Sequence, residues 1–350
     1  MAPRSIPHHP AARRASRRRA TSGGVILLYH RVAAVRPDPQ LLCVAPRHFA
    51  EHLEVLNRVA RPTPLTDLVH RPLGETRAPP AVAVTFDDGY ADNLHEAAPL
   101  LRRHGVPATV FVVASAVGSQ REFWWDELER LLLQPGVVPR LVPGPGGVEC
   151  GPADFGRASV YTPNDAERHA SWNVTRTEVP TERHQLYMQM CHALRPLPAE
   201  ARAAALADLA AQCRVDPVGR YTHRPLSREE LVRLADDGLV EVGAHTLTHA
   251  LLAGLPVERQ RAEIVEGRRL LEEVLGREVT SFSYPYGGRR DYTAATVALV
   301  REAGFRRACA NFAGVVRPGT DGWQLPRMLV RDWDGDEFAR RLRGVLDDAG

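Results

Sequence analysis

The chain has 350 residues, 44% apolar and 25% charged, enough for one large α/β domain with insertions, or two ordinary domains, around a sizeable core. All 45 basic residues are Arg and none is Lys, which excludes a Schiff-base lysine, a Walker A phosphate loop and a Ser–Lys dyad. The net charge of +3 is concentrated at the start: residues 1–22 hold six Arg and no acid, the remainder carries −3, and no nucleic-acid partner is expected for that near-neutral body.

In chain order, residues 1–22 read as a disordered Arg-rich leader, given their Arg, Ala, Ser and Pro content. The next apolar run is only VILLY, shorter than the roughly 7–15 residues of a secretory h-region. No segment reaches the roughly 18 apolar residues of a membrane span, so the expectation is a soluble, cytoplasmic protein with no transmembrane segment. The body, 23–350, carries short apolar runs that predict buried strands: VILLY (25–29), AVAVTF (81–86), ATVFVV (108–113), LVEVGA (239–244), TSFSY (280–284) and RRACA (306–310). Helical patterns alternate with them at 48–59, 93–105, 257–276 and 291–304, the last three closed by Gly. This alternation predicts βα units, a mostly parallel sheet and, on the strand count, a barrel or incomplete barrel.

Residues 135–225 break the rhythm and read as an insertion: a Pro/Gly-rich loop, PGVVPRLVPGPGGVECGP, then two helices in ERHQLYMQMCHALRPL and AEARAAALADLAAQC. The five cysteines (Cys43, Cys150, Cys191, Cys213 and Cys309) are odd in number, widely spaced and without a CxxC, which argues against a disulfide framework or a cysteine zinc site.

The residues immediately after the strands carry the chemistry. VILLY runs into His30, AVAVTF into Asp87-Asp88-Gly89, LVEVGA into His245 and, four residues on, His249, and TSFSY into Pro285-Tyr286-Gly287. In a parallel β/α fold the C-terminal strand ends share one face, so four strands deliver polar groups to one rim. Two adjacent carboxylates after an apolar strand are costly to desolvate, and a metal ion relieves that cost. On extended chain they point to opposite sides, so one can bind a metal while the other acts on a proton. The alternative is an acidic turn with Asp as a helix cap. His at i and i+4 is common metal-ligand spacing; here the pair follows a strand, and no Glu follows His245, which disfavours a zinc metalloprotease. Two His and a carboxylate suit a first-row divalent metal, zinc first, with cobalt or nickel also compatible.

TFDDGY (85–90), HTLTH (245–249) and SFSYPYG (281–287), in this order, resemble the NodB-like polysaccharide deacetylases, carbohydrate esterase family 4, over about 81–130 and 225–315. The resemblance implies a deformed (β/α)7-type barrel with a helical insertion, and hydrolysis of an N-acetyl, less often O-acetyl, group on a sugar. It implies that Asp88, His245 and His249 hold the metal, that Asp87 is the general base, and that Pro285 and Tyr286 lie at the oxyanion position, with a backbone N–H near Tyr286. Two departures stand out. The family's Arg before Pro-Tyr, which orients the base, corresponds to Ser283 here; Arg327 in LPRMLV is the first substitute and Arg331 the second. The family's proton-donating His comes late in the chain, whereas no His follows His249 here. ILLYHRV (26–32) looks like that motif moved to the front, as in circularly permuted members, which makes His30 the general acid. The alternatives are an O-acetyl esterase or an enzyme of small glycosides or glycolipids, and a non-catalytic carbohydrate-binding relative. Trp124 and Trp125 in FWWDEL could stack on sugars but equally pack a helix, and are left out of the expected site.

Overall fold

The computed structural model describes residues 23–70, 79–148, 152–216 and 218–349; the Arg-rich leader and Cys150 lie outside them. Seven parallel strands form the frame: β1 (Gly24–Tyr29), β2 (Ala81–Phe86), β3 (Ala108–Val112), β4 (Val240–Ala244), β5 (Ser281–Ser283), β6 (Arg307–Cys309) and β7 (Met328–Leu329). Their spatial order is β6-β5-β4-β3-β2-β1-β7. β1 pairs in full register with β2, Leu27 opposite Val84, and on its other side with β7, Leu27 opposite Met328. Just before β7, Leu325 bridges Cys309 in parallel, and the Ala310 N–H donates to the Leu325 carbonyl at 2.9 Å. The segment 325–329 therefore stands between β6 and β1 and curls the sheet into the deformed (β/α) barrel expected from the motifs. Every residue of β1, β2 and β3 is buried, as parallel strands covered on both faces require.

The helices that wrap the frame are α1 (Pro46–Val59), α2 (Ala98–His104), α3 (Trp124–Leu132), α4 (Glu182–Leu194), α5 (Ala199–Cys213), α6 (Arg228–Ala235), α7 (Val257–Leu275), α8 (Ala294–Glu302) and α9 (Gly335–Ala349). Local chemistry sets their ends. Pro starts α1, Ser227 with Glu230 and Thr293 with Thr296 form reciprocal caps on α6 and α8, and Gly276 closes α7 at φ 65°. Among the described residues no helix is long and apolar enough to cross a membrane.

The segment between β3 and β4 has its own apolar core, in which Leu128, Leu132 and Phe155 meet Leu186, Tyr187, Met190, Leu206 and Leu209. α3, α4 and α5 build it. The Pro/Gly-rich stretch expected as plain loop also pairs: Gly136–Val137 with Val160–Tyr161, and Leu141–Val142 with Ala153–Asp154. Two-residue strands carry no periodicity long enough to read in sequence.

Candidate active site

The C-terminal strand ends open into one cleft of about 450 Å³, lined by His30, Asp87, Asp88, His245, His249 and Tyr286 together with residues of α3, α4 and the chain after β7. Asp88, His245 and His249 are buried and offer donor atoms that all lie within 4.8 Å of one another. The Asp88 Oδ1 is 3.5 Å from His249 Nε2 and 3.7 Å from His245 Nε2, longer than good hydrogen bonds. His245 Nδ1 donates to the Ser283 carbonyl at 2.8 Å, which fixes the tautomer and turns the Nε2 lone pair toward Asp88. Burial lowers the pKa of both histidines, keeping them neutral, the form that ligates a metal. Burial, and then the neighbouring Asp87 charge, push the Asp88 pKa well up, a cost that a cation between these groups removes. The donor set therefore fits a divalent metal.

The two carboxylates are separated by a turn, and the extended chain expected at this point is not found. Asp88 has φ 76° and Gly89 φ 87°, so two left-handed residues swing the chain off β2. A Cβ on Gly89 would also lie 3.1 Å from the Val112 methyls. Asp87 points to a different partner: Arg327 Nη1 and Nη2 donate to its two oxygens at 2.8 and 2.7 Å. The same guanidinium donates to the Ser283 Oγ at 2.9 Å and the Ala310 carbonyl at 2.7 Å. The Ser283 hydroxyl in turn donates to Asp87 at 3.3 Å. Burial works against the Asp87 charge, but the Arg327 guanidinium and its two hydrogen bonds outweigh it and hold the pKa at about 2. Arg327, one residue before β7, thus holds Asp87 and Ser283 together.

His30 lies in the cleft beside Asp87, with its pKa lowered to about 4, chiefly by burial. Tyr286, at φ 62°, packs its ring 4.8 Å from His249, and the guanidinium of Arg195, in the segment after α4, lies 4.2 Å from the ring centroid. Pro285 is buried behind the turn and is not among the residues lining the cleft. Trp125 is buried, stacks on Phe123, donates to the Tyr90 hydroxyl at 2.7 Å and packs against His249. Both tryptophans of α3 line the cleft. Val174, Met188, Cys191, His192 and Arg195 also line it, and no motif in the sequence marked them. They reach the site only because the second core places α4 over the barrel mouth.

A family model described as polysaccharide deacetylase matches residues 74–138 and 183–308, more than half of the chain, and the chain belongs to that family. The gap between the two matched stretches falls inside the inserted segment. By sequence, "Putative polysaccharide deacetylase YxkH" of Bacillus subtilis (strain 168) is 27% identical over 107 residues, a match covering 30% of this chain and 37% of that relative. Two solved structures share the fold. The Streptococcus pyogenes deacetylase PplD in complex with acetate superposes with TM-score 0.55 at 13% identity, covering 93% of this chain and 99% of that one. IcaB from Ammonifex degensii gives TM-score 0.55 at 20% identity, covering 91% and 96%.

Proposed function

We propose that the chain is a metal-dependent hydrolase that removes the acetyl group from an N-acetylated sugar. The observation that carries this reading is the Asp88–His245–His249 cluster set beside an Arg327-held Asp87 on the floor of a cleft. A divalent cation held by those three residues supplies Lewis acidity toward the acyl oxygen and eases deprotonation of water; zinc suits the donor set first, then cobalt or nickel. Asp87, fixed by Arg327 and Ser283, takes the water proton as the water oxygen bonds to the acetyl carbon. A backbone N–H near Tyr286 would stabilise the oxyanion that forms there. His30 delivers a proton to the nitrogen as the C–N bond breaks. Water gives up one proton and the nitrogen receives one, so the products are the free amine and acetic acid, which releases its remaining proton to solvent as acetate.

The position of β1 supports reading the His30 motif as one moved to the front of the chain. In a closed ring the first strand lies between β2 and β7, where it can present a His to the same rim as a strand at the chain's end would.

Acetate release from a panel of N-acetylated glycans and acetyl esters, with the protein stripped by chelator and then re-metallated, tests the reading. We expect release from N-acetyl substrates that disappears on chelation and returns with zinc. Release from esters alone would move the assignment to an O-acetyl esterase. Glycan binding without release would make the chain a non-catalytic relative.

A further inference from the structure

The charges lining the cleft are matched, with one exception. Asp87 is paired with Arg327, Asp88 belongs to the metal-ligand set, and Asp291 accepts from Arg195 at 2.6 Å. Arg331 also lines the cleft, two residues beyond the end of β7, and has no carboxylate within ion-pair distance among the described residues. The acid acting on it is Asp38, whose two oxygens are already occupied by the Leu42 and Cys43 N–H groups, each at 2.9 Å. Burial works against the Arg331 charge, so an unpaired guanidinium is held there at a cost.

A purely structural role accounts for only part of that side chain. Nη1 donates to the carbonyls of Leu41 and, at 3.5 Å, Gln40, and so clamps the turn at Leu41, where φ is 56°. No protein acceptor is found for Nε and Nη2 among the described residues. These two atoms form one edge of the guanidinium, which presents two parallel donors to a planar oxyanion. The clamp on Gln40 and Leu41 fixes the orientation of that edge in advance. The Arg331 charge also acts on His30, so an anion bound here lies next to the proton-delivering group.

We infer that Arg331 is a specificity-determining residue that binds an anionic substituent, a carboxylate or phosphate, carried by the acetylated sugar. This rests on the deacetylase reading above. A substrate bearing such a group docks with its charge on the Nε–Nη2 edge and its acetyl group over Asp87 and His30.

The test uses the zinc-loaded full chain and the acetate released from an N-acetylated glycan that it turns over. Competing glycosides are added: methyl N-acetylglucosaminide, the same glycoside oxidised to the carboxylate at C6, its 3-O-lactyl ether and its 6-phosphate. The inhibition constant is read for each, and this holds whether the glycoside is turned over or only bound. At least one anionic glycoside should compete about tenfold more tightly than the neutral one, the scale of a charge-assisted two-point hydrogen bond. Arg331→Gln should abolish that preference and Arg331→Lys should restore only part of it. The ratio cancels any common effect of the substitution on His30 or on the turn at Leu41. Which anion is preferred separates carboxylate from phosphate. No preference in the wild type, or a preference that survives Arg331→Gln, overturns the inference while leaving the deacetylase reading intact. No acetate release from any glycan overturns the deacetylase reading, and this inference with it.

Discussion

Asp87 must stay ionised while buried, and the two hydrogen bonds from Arg327 decide whether it can. Asp87→Asn should keep the metal and lose turnover by at least about 10²-fold, the scale of a lost general base; metal content and kcat measured together check this, and full activity would reassign the base. Arg327→Ala leaves a buried carboxylate unpaired, a loss of about 3–5 kcal/mol when one partner of such a pair is removed. Its melting temperature and kcat should both fall, whereas unchanged turnover in a folded Arg327→Ala protein would remove Arg327 from the positioning of Asp87. Burial lowers the His30 pKa to about 4, which disfavours the protonated form that delivers a proton. As the proton donor His30 acts in its protonated form, so the limb that it contributes to kcat/KM should fall as the pH rises through about 4, and His30→Ala should remove that limb. A pH profile in which His30→Ala removes a limb between about pH 6 and 8 would contradict this.

The strand-end turns aim the site, and they do so with unfavourable backbone. Among the described residues, four of the six non-glycine residues with positive φ are Asp88, Thr246, His249 and Tyr286, all in or beside the Asp88–His245–His249 cluster. Each such residue costs on the order of 1 kcal/mol, which the surrounding packing must outweigh. α7 supplies much of that packing to the His245–His249 loop: a Cβ on Gly267 would lie 2.8 Å from the Leu247 nitrogen and the Thr246 carbonyl carbon, so only Gly lets the helix touch this backbone. Gly267→Ala should therefore lower both the melting temperature and zinc affinity, by pushing α7 off the loop that carries two ligands. Competition with a chromogenic chelator measures the affinity, and zinc binding as tight as wild type would show that the loop holds its shape without α7.

At the scale of the whole molecule, buried histidines couple the fold to pH. His52 donates through Nε2 to the Trp333 carbonyl at 2.7 Å and accepts from the Tyr29 hydroxyl at 3.2 Å, tying α1 to β1 and to the chain leading into α9. Burial first, in each case, lowers the pKa of His52 and of His184 in the inserted segment to about 4, and that of His223 to about 2. Between the ordinary histidine value of 6.5 and about 4, the unfolded chain binds more protons than the folded one, so stability is fully present above 6.5 and is lost as the pH falls toward 4. The melting temperature should decline steadily through that window, and His52→Gln should flatten part of the decline. A melting temperature constant from pH 6.5 to 4 would mean that these histidines are not buried in the neutral form. The inserted segment adds its own core to this molecule and, through α4, a wall to the cleft.

The sequence by itself determined the frame and the centre of the site. Short apolar runs announce β1 to β6, and Gly-closed patterns announce α2, α7 and α8, because burial and chain reversal leave their marks within a few residues. The four residues of DDG and HTLTH were legible for the same reason: they lie within five residues of their strand ends, and parallel strands share an end. Tertiary structure decided what depends on distance in space alone. Arg327 reaches Asp87 across 240 positions because β7 closes the ring beside β1. Two left-handed residues, not strand alternation, divide the work of Asp87 and Asp88. The unpaired edge of Arg331 and the α4 wall exist only where separate segments meet, and nothing local to their sequence records that meeting.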